Sequence, residues 1–530
     1  MNAVDLAIFA NRINNLCEEM GAVLQRAAFS PNIKDRLDYS CALFDASGRI
    51  VAQAAHIPVH LGSMAFAMVD LVASQQWREG DMVVVNDPFL GGTHLPDVTV
   101  IAPIFWQQAI IGFVANRAHH VNIGASTPGS MPISSHLEQE GRVIAPTRLV
   151  AAGSIDQGVF TQLAGESPGA RGDFLAQVSA NNLGRQRLLE LLAGSSAEAY
   201  RAAIAELHDY GRRLTETELA QLQPGRYHFR DLMDDDGQGN GPIPIEVTLT
   251  IGDGRLVADF HGTSKQVAGN INCPLTVTAA AVFYALRCLL PDYTPACAGV
   301  FDPVTLLAPE GCLVNARRPA AVAAGNVETS MRLVDVVLGA LAQALPTEIP
   351  AASQGTMNNI AMGSAGDESQ ARWDYYETIA GGTGAGALAP GLQCVQSHMT
   401  NTLNTPIESL ESHFPLRIRR YQRRRGSGGS GRHRGGDGLI REFEFLAAAQ
   451  VTLLTERRQH SPWGLVGGGA GLAGANFLNE QPLPGKIHLH VAAGDRLRVE
   501  TPGGGGWGVE AGGDVAESGR DSAAGLSAAD

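Results

Sequence analysis

Apolar residues at the start of the chain recur at three- and four-residue steps. Leu6, Phe9, Ile13, Leu16, Met20 and Leu24 fall on one face, which predicts an amphipathic helix. The period then shortens. DYSCALFDASGRIVAQ reads as a β-hairpin turning at Asp45–Gly48, and Leu61 to Gln76 returns to a helical pattern. MVVVN, VTVIAPIF and AIIGFVANR read as strands, and Asp173 to Leu222 is helical in pattern, punctuated near Gly184 and Gly194.

From Gly225 short strands alternate with turns (RYHFRDLMDD, IEVTLTI, RLVADF). Two more helices are predicted at Val277–Leu290 and Val327–Ala344, the second with Asn326 placed to cap it. Beyond about Ala351 the pattern is strands and glycine-rich turns. Helices and strands come in blocks, so the expected class is α+β, with mixed β-sheets and segregated helices. The expected division is an N-terminal α+β part over 1–222, a β-rich part with two helices over 223–508, and a disordered tail over 509–530, where apolar periodicity ends.

Size and charge narrow the classes. A chain of 530 residues exceeds one small core, and 45% hydrophobic with 17% charged residues is a globular balance. The net charge of −14 argues against a nucleic-acid binder. The arginine run RIRRYQRRRGSGGSGRHRGG (417–436) reads as a solvated edge strand followed by a mobile Gly/Ser loop. Seven scattered cysteines without a CxxC pair argue against a disulfide framework or cysteine-held zinc. No signal peptide and no run long enough to span a bilayer is present, so a soluble, cytoplasmic protein is expected.

The stretch Asn86–Asn122 carries the densest chemistry: NDPFLGGTHLPDVTVIAPIF, then IGFVANRAHHVN. Gly91 and Gly92 permit a sharp turn that aims His94 and Asp97 at one point. On a strand His119 and His120 face opposite ways, and His119 is taken as the partner of the first pair. Two imidazoles and a carboxylate suit zinc, manganese or iron(II); the alternative is a set of hydrogen-bonded structural histidines. A second cluster holds Asp38, Tyr39, His56 and His60. Pro58 between the two histidines argues against a helix there, so their spacing reads as a turn before a helix, with Asp38 kept as a further ligand or general base.

GGTGAGALAPG (381–391) resembles a phosphate loop but lacks the Lys–Ser/Thr ending, and Pro390 blocks the following helix. Turn-forming glycines are the expected explanation, with Gly382 and Gly384 the candidates for a close backbone approach to substrate. No Walker motif, Rossmann fingerprint, HExxH or nucleophile elbow is present, so this chain is assigned no nucleotide or cofactor loop of its own.

Segments along most of the chain resemble the hydantoinase B/oxoprolinase family. They are DYSCALFDASGRIVAQAAHIPVHLGSM, NDPFLGGTHLPDVTVIAP, STPGSMP, GDFLAQVSANNLG, DFHGTSKQVAGNINCP, AGNVETSMRLVDVVLGAL, PAASQGTMNN, YYETIAGGTGAG, HMTNTLNTPIESLE, SGGSGRHRGGDG and TPGGGGWG. The resemblance implies a hydantoinase A-type partner subunit that binds ATP and phosphorylates a carbonyl or amide oxygen. The B-type chain then completes the reaction on a small cyclic amide such as a hydantoin, N-methylhydantoin, oxoproline or related lactam. It also implies a divalent metal at the positions of His94, Asp97 and His119; on chemical grounds Asp38 or His120 is then the group expected to move the proton. The alternatives are a subunit of an ATP-dependent ketone carboxylase of the acetone or acetophenone type, or a non-catalytic scaffold for the A subunit. One departure stands out. Relatives usually read HH-x-D-x-GG where this chain reads HHVNIGA, which puts Asn122 in place of an acid and Ala125 in place of a glycine.

Overall fold

The computed structural model describes residues 2–165, 167–366 and 372–510. Helix α1 (Ala3–Ala27) buries the apolar stripe from Leu6 to Leu24 and is capped by Asn2, which accepts the Asp5 amide at 2.8 Å. A single turn, α2 (Pro31–Lys34), leads into the predicted hairpin of β1 (Tyr39–Asp45) and β2 (Ile50–Ala55). Gly48, at φ +85°, takes the left-handed position that the turn requires.

Helix α3 (Pro58–Ser74) corrects the expectation at HIPVH. Pro58 starts this helix instead of preventing it, because the first helical residue needs no backbone N–H and proline's fixed φ already suits it. His60 therefore lies inside the helix, while His56 precedes it.

Strands β3 (Met82–Val85), β4 (Asp97–Trp106), β5 (Ala109–His119), β6 (Thr147–Ala151) and β7 (Ser154–Ile155) complete an antiparallel sheet in the order β2-β1-β5-β4-β3-β6-β7. Helices α4 (Gln157–Ala164), α5 (Pro168–Leu192) and α6 (Ala197–Gln221) follow. Gly184 does not interrupt α5; it lets that helix pack closely on Met20 of α1 and Val114 of β5.

A second sheet of four strands runs from Gly225–Met233 to Val304–Leu307. Helices Leu275–Arg287 and Ser330–Ala344 pack on each other, and the latter also covers this second sheet. Asn326 does not cap it. A wider π turn, Gly325–Thr329, precedes the helix, and Asn326 lies within that turn with its side chain directed elsewhere.

Two further sheets form the C-terminal third. One runs in the order Trp373–Glu377, Asn359–Ser364, Ala449–Leu454, Lys486–Val491. The other has Leu416–Arg424 at its edge, as the arginine pattern predicts. Those arginines are matched by acids: Arg419 with Glu444 at 2.6 Å, Arg420 with Glu442 at 3.2 Å and Arg423 with Asp437 at 3.4 Å.

The architecture is thus α+β with several separate, open sheets. One hydrophobic cluster includes Leu6 and Val100 from the first sheet layer, Val334 from the later helix and Leu454 from the third sheet. No helix among the described residues is long and apolar enough to cross a membrane. From residue 511 onward the expected disordered tail lies outside the described residues.

Candidate metal centre

The antiparallel register of β4 and β5 places Asp97 directly opposite His119, so both side chains share one face of the sheet. The strand on the far side of β5 adds Asp38, whose carbonyl accepts the His119 amide at 3.1 Å just before β1 begins. Asp97, His119 and Asp38 therefore stand side by side at one end of three neighbouring strands.

His94 comes from the loop that precedes β4. Gly91 adopts φ +107°, and a Cβ on Gly92 would press on the carbonyls of Asn86 and Asp87. Asn86 braces the loop, donating to the Leu95 carbonyl at 2.7 Å and accepting the Ile144 amide at 2.7 Å. Arg117, two residues before His119, donates to the Gly91 carbonyl at 2.9 Å, to Thr99 Oγ1 at 2.9 Å and to Ser63 Oγ on α3 at 2.7 Å. These contacts tie the loop, the sheet and α3 into one frame.

The ligand-type atoms of His94, Asp97 and His119 lie within 4.8 Å of one another, and all three residues are buried. Asp97 divides its two oxygens. Oδ1 faces His94 Nε2 at 3.3 Å and His119 Nδ1 at 3.4 Å. Oδ2 accepts from Thr93 Oγ1 at 2.5 Å and lies 3.3 Å from His60 Nε2 and 3.4 Å from Asn326 Nδ2. Ser40 Oγ holds the other ring nitrogen of His60 at 3.2 Å. Tyr376 stacks on His119 with ring centroids 4.7 Å apart and planes 9° from parallel.

Burial opposes ionisation of Asp97, but the His94 and His60 charges, with hydrogen bonds from His119 and His60, hold its carboxyl well below the usual carboxylate range. Burial also disfavours charge on His94, yet the facing Asp97 outweighs it and raises the imidazole. On His119 burial dominates and the pKa falls. Burial lowers Arg117 to about 10 against the pull of Asp97.

The donor set fits a divalent ion. Both ring nitrogens of His94 and Nε2 of His119 are buried without a hydrogen-bond partner; an ion would take one nitrogen from each ring, and His94 Nε2 and His119 Nδ1 are the ones that face Asp97 Oδ1. The supports on Asp97 Oδ2 are the kind that orient a coordinating carboxylate. Beside the cluster is a cavity of about 20 Å³, lined by Asp38, His60, Asp97, His119, Asn326, Tyr376 and Thr378, Thr400 and Thr402 among others. That is room for a water-sized group.

Four of the sequence-derived candidates are brought together here: Asp38, His94, Asp97 and His119. His120 is not, because strand alternation turns it to the opposite face. Its Nε2 lies 3.0 Å from Gln177 Oε1 and its ring packs against Phe174, so it is poorly placed to move a proton at the cluster. Gly382 and Gly384 are also elsewhere. A methyl on Gly382 would overlap the Gly436 carbonyl and one on Gly384 the Ala351 carbonyl, while their amides donate to Pro502 O at 3.1 Å and Ser353 Oγ at 3.3 Å. Their lack of a side chain serves packing between chain segments. The Gly/Ser stretch expected as a mobile loop joins the same packing, with Gly436 donating to Thr383 O and Gly469 to Ser430 O.

His60 and Asn326 are additions that sequence reasoning missed, the first discounted because of Pro58 and the second read as a cap. Tyr376, Thr378, Thr400 and Thr402 lie in segments that carry the family resemblance, which is the signal that marks them. His56 belongs to a different environment, against Tyr39 at 4.7 Å. Asn122 bonds to Asp374 Oδ2 at 3.1 Å and accepts the Gly124 amide at 2.7 Å; it lines a separate cleft of about 880 Å³ that includes His120 and Asp173.

This sheet-end cluster sits in a chain that belongs to the hydantoinase B/oxoprolinase family, whose model matches residues 2–510. The chain is 40% identical to 5-oxoprolinase 1 of Arabidopsis thaliana over 96% of its own length, but it spans only 42% of that relative. It is 30% identical to the B-type chain of a putative D-/L-hydantoinase from a Pseudomonas species, covering 96% of this chain and 90% of that one. An ATP-dependent caprolactamase from Pseudomonas jessenii shares the fold at a TM-score of 0.89 and 26% identity, covering 96% and 91% of the two chains.

Proposed function

We propose that this chain is the B-type half of an ATP-dependent cyclic-amide hydrolase whose A-type partner binds ATP and phosphorylates the amide oxygen. The observation that carries this reading is the buried His94–Asp97–His119 cluster with its unsatisfied ring nitrogens, in a member of this family. An amide resists attack because resonance stabilises its ground state. Phosphorylating the oxygen removes that protection, and the remaining task is delivery of water to the activated carbon.

His94, Asp97 and His119 would hold a zinc, manganese or iron ion, which supplies Lewis acidity when bound. Asp38 accepts the proton of the attacking water. Its carboxylate lines the cavity, lies 3.9 Å from His119 Nδ1 and accepts no hydrogen bond from the described residues. The walls of buried Tyr376, Val327 and Met357 keep bulk water from the acceptor.

The test is turnover of the full chain combined with an A-type subunit. ADP, phosphate and ring-opened amino acid should appear in equal amounts without bicarbonate. A pair that stays idle until bicarbonate and a ketone are supplied is a carboxylase, and the hydrolase reading is then wrong. Asp38→Asn should lower kcat by about 100-fold or more with ATP binding at the partner unchanged.

A further inference from the structure

Five arginines are among the largest fully buried side chains, and they divide into two groups. Arg332, Arg441 and Arg457 pair with carboxylates: Glu456 at 3.4 Å, Glu377 at 2.9 Å and Asp335 at 2.6 Å. Arg36 and Arg117 have no ion-pair partner among the described residues, and these two flank the candidate metal cluster. Arg117 has the Asp97 carboxylate near enough to oppose the lowering of its pKa by burial. Arg36 has no such assignment.

The Arg36 guanidinium donates only to neutral oxygens: Tyr376 O at 2.8 Å, Asn32 Oδ1 at 3.2 Å, Thr378 Oγ1 at 3.1 Å and Thr402 Oγ1 at 3.5 Å. Its Nε has no partner. A guanidinium stays charged at physiological pH, and an unpaired buried charge costs several kcal/mol by general estimates, about the stability of a marginal domain. Such a charge is tolerated where a ligand balances it.

The threonines show where that ligand would sit. Thr378 Oγ1 and Thr402 Oγ1 are 2.7 Å apart, so one hydroxyl donates to the other and one proton is left for a third acceptor. Thr400 Oγ1 is buried, has no partner and lines the same cavity as those two and Asp38. Other charges around Tyr376 are those of Asp38, Asp97 and Glu328. Burial raises Glu328 to about 8, which leaves it mostly neutral at pH 7, and Asp97 is engaged with the histidines. Asp38 is the remaining negative group on the cavity wall, and a divalent ion would make the site more positive still.

We propose that Thr378, Thr400 and Thr402, with Arg36 behind them, form a subsite for a negatively charged oxygen of the ligand, carried by a carboxylate or a phosphoryl group. The hydroxyls touch that oxygen; Arg36 is a positioning residue that polarises them. The subsite rests on the hydrolase reading only for the reaction it serves, since the arginine and the hydroxyls need no metal ion.

The test is calorimetric titration of the full chain with inorganic phosphate and, separately, with acetate. Both titrations are made after chelation and again with Mn²⁺ added. Wild type should bind at least one anion saturably, and the tighter of the two identifies the group. Thr400→Val and Thr402→Val should weaken that binding about tenfold or more, as expected for losing a hydrogen bond to a charged oxygen, and Thr400→Ser should restore it. Arg36→Gln should weaken it further; if that variant does not fold, the isosteric threonine variants carry the test, with melting temperature as the control. The subsite is ruled out if neither anion binds wild type, or if binding is unchanged in both threonine-to-valine variants. Anion binding that requires Mn²⁺ and ignores the threonines also rules it out while leaving the metal reading intact. Threonine-dependent anion binding in a chain that takes up no metal would overturn the metal reading alone.

Discussion

Asp97 is the residue on which the site turns, because its two oxygens do different work. Oδ1 faces the two histidines and Oδ2 is pinned by Thr93, His60 and Asn326. Removing one support should loosen the carboxylate without removing a ligand, so His60→Asn is expected to weaken metal binding about 10- to 100-fold, measured by competition with a chelating dye. Glu328 makes a separate prediction. Burial raises its pKa to about 8, so between its ordinary value near 4.5 and about 8 the folded protein holds a proton that the unfolded chain has released. Its contribution to stability is full below that window and is lost as pH rises through it. Glu328→Gln imitates the protonated form and should flatten the fall in melting temperature between pH 5 and 9; an unchanged pH profile would refute this. His94, Asp97 and His119 were legible because residue type, glycine-tight spacing and strand parity all converge on them. His60 is hidden because a proline two residues before it signals a helix break, whereas at a helix's first position it is a starter. Arg36 and the threonines show no local pattern; their roles arise from contacts across 340 residues or more.

At the scale of elements, the first sheet was readable because its strands alternate cleanly or run buried between turn signals, and the helices because their apolar stripes have the right period. The glycine-rich segments differ from the turns their composition predicts. They look like turns, yet they lie side by side with backbone against backbone, Gly504 donating to Gly436 O and Gly429 to Gly504 O at 2.9 Å. Nothing in a single segment reveals that its neighbour is another glycine run from elsewhere in the chain. The consequence is sharply positional. Gly384→Ala would drive a methyl into the Ala351 carbonyl, whereas Gly386→Ala meets nothing within 4 Å. The first should cost about 3 kcal/mol or more, or abolish soluble expression, and the second should stay within about 1 kcal/mol, both read from denaturant midpoints. Equal behaviour of the two would show that the segments do not interlock as described.

Across the whole molecule, the cavity at the cluster draws on residues far apart in sequence. Asp38, His60, Asp97 and His119 come from the first sheet and its helix, Asn326 from the π turn, and Tyr376, Thr400 and Thr402 from the C-terminal third. A site assembled this way depends on the packing of the first sheet against the π turn and the C-terminal third, so its first half is legible in local pattern and the rest only in the fold. The role proposed for the His94–Asp97–His119 cluster depends on its being a true metal centre. The most direct measurement is the metal content of the purified full chain after dialysis with zinc, manganese or iron(II), determined by mass spectrometry beside His94→Ala and His119→Ala. Wild type should retain about one ion per chain and the variants almost none, with melting curves showing that they remain folded. Equal metal content in all three proteins, or none in any of them, would contradict the account.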